Sequence, residues 1–68
     1  MEVKNIELSS ATIRLNEDEL IIINNALNEV CNALDNAEFF TRMGANEQEV
    51  EGLLDDIGKV IDSIRNSS

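Results

Sequence analysis

Residues 16–34 read NEDELIIINNALNEVCNAL, and the spacing of apolar side chains in that stretch decides the fold. Asn16 followed three residues later by Glu19 is the signature of a capping box. The amide oxygen accepts from a first-turn N–H, while the glutamate reaches back to the cap. A helix is therefore predicted over 17–36, with Glu17, Asp18 and Glu19 where the helix dipole favours negative charge. At about 100° per residue, Leu20, Ile22, Ile23, Ala26, Leu27, Val30, Cys31, Ala33 and Leu34 fill one continuous arc of roughly 180°. An ordinary surface helix carries a stripe only a little wider than about 100°. This helix is thus expected to pack against two bodies at once, with Ile22, Ala26, Val30 and Ala33 forming an interface to a second copy of the chain.

Toward the C-terminus, Asn46 with Glu49 repeats the capping signal after a stop at Gly44, which predicts a second helix over 47–65. Its stripe of Val50, Leu53, Leu54, Ile57, Val60, Ile61 and Ile64 spans only about 120°, suited to a single partner face. The corner between the helices, 37–45, has room for one or two helical turns over 37–43 and holds the two aromatic residues, Phe39 and Phe40, with Met43; these are expected to close one end of the core. Toward the N-terminus, residues 1–15 read as strands, with Ile6 and Leu8 on one alternation, Ile13 and Leu15 on another, and Ser9-Ser10-Ala11 between. They form either a hairpin or two separate edge strands. Two strands alone are marginal in water, so they require a helix beneath them or a strand of another chain beside them. The fold class that follows is α+β in a single domain, 1–68. A short N-terminal β-hairpin or strand pair precedes an antiparallel helical hairpin, dimerised into a four-helix core.

Size supports that last step. A chain of 68 residues buries only about 60 % of the surface its unfolded form exposes, and small domains compensate with disulfides, a metal or oligomerisation. Cys31 is the one cysteine and there is no histidine, so an internal disulfide and a Cys/His zinc site are both excluded. Oligomerisation remains. A net charge of −9, from 14 acidic and 5 basic side chains, opposes nucleic-acid and membrane-surface binding. With 43 % hydrophobic residues the chain is still apolar enough to fold. The charge is unevenly placed. Residues 1–16 are neutral, with Glu2 and Glu7 balanced by Lys4 and Arg14, so the whole excess lies in the helical part. The longest apolar run, Leu20 to Ile23, is far too short to span a bilayer, and no basic-then-apolar leader is present. A cytoplasmic protein is expected, and a single unpaired thiol suits a reducing compartment.

The residues offer little chemistry. Cys31 lies on the apolar arc with no neighbouring base to activate it, and without histidine no catalytic triad is possible. Glu51, Asp55, Asp56 and Asp62 read as a solvated face, and nothing approaches the spacing of a calcium-binding loop. Neither an enzyme, a cofactor nor a metal is expected. Phe40 to Leu53 has the spacing of a helix-turn-helix, but its second helix opens Asn46-Glu47-Gln48-Glu49, setting carboxylates against phosphates. The unusual feature is a stripe of amides, Asn24, Asn28, Asn32 and Asn36, with Asn25 alongside. Asparagine is a poor helix former because its side chain competes for backbone hydrogen bonds, so the stripe carries a local cost.

The segment Asn24-Asn25-Ala26-Leu27-Asn28-Glu29-Val30-Cys31-Asn32, followed by Thr41-Arg42-Met43-Gly44, resembles small uncharacterised bacterial proteins with an Asn-Asn-Ala-Leu-Asn-Glu-Val-Cys-Asn segment and a Thr-Arg-x-Gly segment. The likeness covers roughly residues 20–57. No activity is known for that group. The resemblance implies that Asn24, Asn25, Asn28, Glu29, Asn32 and Arg42 belong to one partner-binding surface. The function expected is a non-catalytic, acidic protein–protein interaction module acting as a homo-oligomer. The alternative is an inhibitor or immunity-type protein occupying a basic site on a toxin or a nucleic-acid enzyme.

Overall fold

The computed structural model describes residues 1–67, and for Asn36 the backbone alone, so that member of the amide stripe lies outside the described side chains. The elements in chain order are β1 (Glu2–Ile6), β2 (Ala11–Arg14), α1 (Glu17–Ala33), α2 (Asn36–Met43) and α3 (Glu47–Ser67). An antiparallel two-stranded sheet followed by helices is the α+β order read from the sequence. Between the two expected helices, the corner forms the short helix α2, about the two helical turns that residues 37–43 allowed.

The capping box at the start of α1 is complete. Asn16 Oδ1 accepts from the Glu19 N–H at 2.8 Å, and the Asn16 N–H donates to the Glu19 carboxylate at 3.0 Å. The helix ends at Ala33, earlier than its apolar period suggested. Leu34 turns extended (φ −95°, ψ 138°) while its N–H still donates to the Val30 carbonyl. Asp35 then caps α2 by accepting from the Glu38 N–H at 3.0 Å. Asp35 thus makes the forward bond of the cap seen at Asn16, while the Glu38 carboxylate pairs with Arg42, and the break falls there. Gly44 closes α2 at φ 73°, a left-handed conformation that a residue without Cβ adopts freely. Asn46 opens α3 by accepting from the Glu49 N–H at 2.9 Å.

Helices α1 and α3 run antiparallel. Arg65 near the end of α3 donates to Glu17 at the start of α1 at 3.0 Å, Gly58 faces Asn24 midway, and Glu47 and Glu51 lie near enough to Cys31 to act on its charge. Among the described residues the buried apolar side chains are Leu20, Phe39, Val50 and Ile61. Phe39, on α2 where it packs against α3, is 1 % exposed, and Met43 is half-buried. Phe40 does not join them; it is 64 % exposed. Successive residues on a helix point about 100° apart, so two adjacent rings cannot both face one neighbour.

The strands make a ribbon closed by the loop Glu7–Ser10, whose Glu7 N–H donates to the Ser10 carbonyl at 2.9 Å. Leu8 sits at its tip in full exposure, and Ala11 starts β2, so the turn lies earlier than the sequence suggested. The pairs are Glu2 with Arg14, Val3 with Ile13, Asn5 with Thr12 and Ile6 with Ala11, which leaves Lys4 as a bulge. That bulge changes which residues share a face. Val3 and Ile6 have opposite parity, and a regular strand would send them to opposite sides. One extra residue corrects the parity, so Val3, Ile6, Ala11 and Ile13 all lie on one face. Glu2, Lys4, Asn5, Thr12 and Arg14 are left for the other, where Lys4 pairs with Glu2 at 2.7 Å. The ribbon is therefore amphipathic.

No helix covers it. Every strand residue is exposed, and neither strand comes within packing distance of any described helix. The molecule is correspondingly open, with Cα extents of 40 × 32 × 15 Å and a radius of gyration of 13.6 Å. A compact chain of this length would have a radius of about 11 Å. Its surface of 5326 Å² exceeds the about 4,300 Å² expected of a folded monomer of this mass.

Candidate interaction surface

The α1–α3 pair is a single layer with two unlike sides. One side is a shallow groove lined by Ile21, Asn24 and Asn25 from α1 and by Gly58, Ile61, Asp62 and Arg65 from α3. In an antiparallel pair, side chains rotated in the same sense from the contact line fall on the same side. The helical period therefore places exposed Asn28 and Asn32, with Glu51 and Asp55, on this polar side as well. Asn24 is half-buried in the groove, while Asn25, Asn28 and Asn32 are exposed. A Cβ at Gly58 would meet only Asn24 Oδ1, at 4.0 Å, so no backbone of this chain packs against that glycine.

The opposite side is apolar and open. Ile22 is 67 % exposed, and Ala26 and Ala33 are exposed beside it, with Val30 half-buried at the edge of the contact with α3. Leu53 and Val60 of α3, 56 % and 48 % exposed, lie on this same side by the same rotation, with exposed Asp56 between them. A shallow dent lined by Lys59, Val60, Ser63, Ile64 and Ser67 continues it toward the end of α3. The α3 stripe was expected to serve one partner face; in the structure α1 takes one edge of it and leaves the other bare. The sequence singled out Ile22, Ala26, Val30 and Ala33 but not Leu53 and Val60 on the same side of the pair. The signal was present in the order of the α3 stripe, where Leu53 and Val60 are seven residues apart on one edge.

The six residues attached to the resemblance are only partly brought together. Asn25, Asn28 and Asn32 share the polar side with Asn24 behind them, and exposed Glu29 stands at its border with the open side. Arg42 is on α2, which packs on α3 and not on α1, and it pairs with Glu38 of its own helix at 3.7 Å.

Two titratable groups depart from their usual behaviour. The Met1 ammonium and the Asn16 backbone N–H, bonded to separate oxygens of Glu19, hold its carboxyl below the usual carboxylate range. Desolvation, followed by the carboxylates of Glu51 and Glu47, pushes the Cys31 thiol above its usual value, which favours the unreactive thiol over the thiolate. Among the described residues no group of acids and cysteine converges on a point that would hold a metal ion. No described helix is long and apolar enough to cross a membrane. Neither a family model, a curated protein nor a solved structure matches this chain.

Proposed function

We propose that this chain is a non-catalytic protein-interaction module that works as a homo-oligomer, joined through the open apolar side of the α1–α3 pair. One observation carries the reading: Ile22 and Ala26 of α1 and Leu53 and Val60 of α3 are exposed on one side of the pair, around the single carboxylate of Asp56, and nothing in their own chain covers them. A surface about 1,000 Å² larger than a compact monomer requires is what an average interface takes from each partner, about 800 Å². The polar side, facing away from that interface, stays available to a second partner. Its amides offer donors and acceptors together, and Glu51, Asp55 and Asp62 beside them favour a basic protein over nucleic acid or lipid. That acidic border also supports the narrower reading of an inhibitor or immunity-type protein covering a basic site. A cytoplasmic setting suits the free thiol of Cys31.

The test is the concentration dependence of thermal unfolding. Two chains of 68 residues unfold with an enthalpy of about 95 kcal/mol near 60 °C, so a dimer gains about 5 °C in Tm for each tenfold rise in concentration. Light scattering in line with size exclusion should give twice the 7.6 kDa chain mass. A Tm that stays constant across two decades, with a scattering mass of one chain, would remove the reading.

A further inference from the structure

The chain holds two apolar faces with no partner, and they do not meet. One is the open side of α1 and α3. The other is the ribbon face of Val3, Ile6, Ala11 and Ile13. Resting on the homo-oligomer reading, we propose that each covers the other between chains: the ribbon of one copy lies across the open side of α1 and α3 of a second copy, and the exchange is reciprocal about a twofold axis.

Three observations favour this occupant. The first is charge. Residues 1–16 are neutral, whereas the helical part carries the entire −9, so docking helices on helices sets two strongly acidic bodies together and docking a ribbon on helices does not. The second is dimension. Val3 and Ile6 are about 10 Å apart along a strand, and Leu53 and Val60 are separated by about the same distance along α3. The third is attachment. Only Leu15 and Asn16 connect β2 to α1, so the ribbon leaves from the N-terminal end of α1, and no strand packs on a helix of its own chain. A closed pair formed this way covers all four faces at once and yields a sheet packed on helices, the layer arrangement that α+β domains use.

Complementation between two full-length variants tests it. Ile6→Glu with Ile13→Glu spoils the ribbon, and Ile22→Glu with Val60→Glu spoils the helix face; all four positions are exposed in the single chain, so the protomer tolerates them. Each variant alone should dimerise about a hundredfold more weakly than the unaltered chain, since a buried carboxylate has no partner there. Mixed one to one, they should form a heterodimer through one exchange, the intact ribbon of the second variant on the intact helix face of the first, tighter than either variant alone and weaker than the unaltered pair because the other exchange, with glutamates on both surfaces, stays open. Native mass spectrometry reads the two masses directly. If the unaltered chain dimerises but mixing produces no preferred heterodimer, or if the ribbon variant dimerises normally, the exchange is wrong and self-association stands. If the unaltered chain is a monomer, the underlying reading fails too. A mixed-isotope sample of the unaltered chain gives the same answer without substitutions. Intermolecular contacts from Ile13 to Ile22 or Val60 methyls support the exchange, and intermolecular contacts confined to ribbon with ribbon or helix with helix overturn it.

Discussion

Replacing Ile22 by alanine separates a lone protomer from an associated one by the sign of its effect. In a lone chain Ile22 is 67 % exposed, and nothing in the core depends on it. Alanine is the better helix former by about 0.4 kcal/mol, so Ile22→Ala would leave a monomer slightly more stable. In a dimer that buries this side, the substitution removes three carbons, each worth about 0.8 kcal/mol when fully buried. With two-thirds of the side chain available to be covered, the loss is about 1.6 kcal/mol per copy, or roughly 3 kcal/mol per dimer. The helix-propensity gain is present in the folded monomer and in the dimer alike and cancels, so the dissociation constant rises about 150-fold. Sedimentation equilibrium at several concentrations measures that constant, and urea unfolding at low and high concentration checks that the protomer still folds. An Ile22→Ala chain that is as stable as the unaltered one, or more so, at every concentration would refute the reasoning.

Phe39 and Phe40 should respond very differently to the same change. Phe39→Ala removes the most buried ring in the molecule and should cost about 3–5 kcal/mol in urea unfolding, whereas Phe40→Ala should stay within about 0.5 kcal/mol. Equal losses at the two positions would mean that α2 does not seat one ring and expose the other. For Cys31, the raised thiol pKa means less thiolate at any given pH, so the midpoint of its alkylation by iodoacetamide should lie above the ordinary thiol value of about 8.5. Because the unfolded thiol ionises first, this residue's contribution to stability is complete below that ordinary value and is lost as pH rises through it toward the folded one. Glu51→Gln should lower the alkylation midpoint; a midpoint at or below the ordinary thiol value would contradict the placement of Cys31 beside α3.

The parts of this fold that could be read from the sequence are those governed by local hydrogen bonding. Asn16 with Glu19, Asn46 with Glu49, and Gly44 each set a helix end through groups within a few residues, and each lies where the sequence placed it. The cap at Asp35 makes the same forward bond and was passed over because Leu34 continues the apolar period of α1 across the break. Periodicity reports which side a residue faces, not whether the backbone between two turns is continuous. The ribbon's apolar face was illegible for a different reason. Val3 and Ile6 have the wrong parity for a shared face, and only the pairing register, with Lys4 left over, places them together. That the open side of α1 continues onto Leu53 and Val60 likewise follows from how the two helices are rotated against each other, a tertiary relation that neither stripe contains by itself.

Glu19 links the two halves of the argument. Read from the sequence it is only the far member of a capping box, but its two carboxylate oxygens have separate tasks: Oε1 accepts from the Asn16 backbone and Oε2 from the Met1 ammonium. The first contact starts the helix; the second holds the free end of β1 against the first turn of that helix. With Leu15 and Asn16 as the whole connector, the ribbon is tied at both β1 and β2 to one short segment, so the direction in which it leaves the helices is set where α1 begins. A ribbon attached in this way turns onto its own open side only by giving up the Met1–Glu19 contact and rotating at Leu15. The apolar faces of ribbon and helices are thus held apart within a chain at Leu15 and Asn16, and the exchange proposed above is the arrangement in which both would be buried.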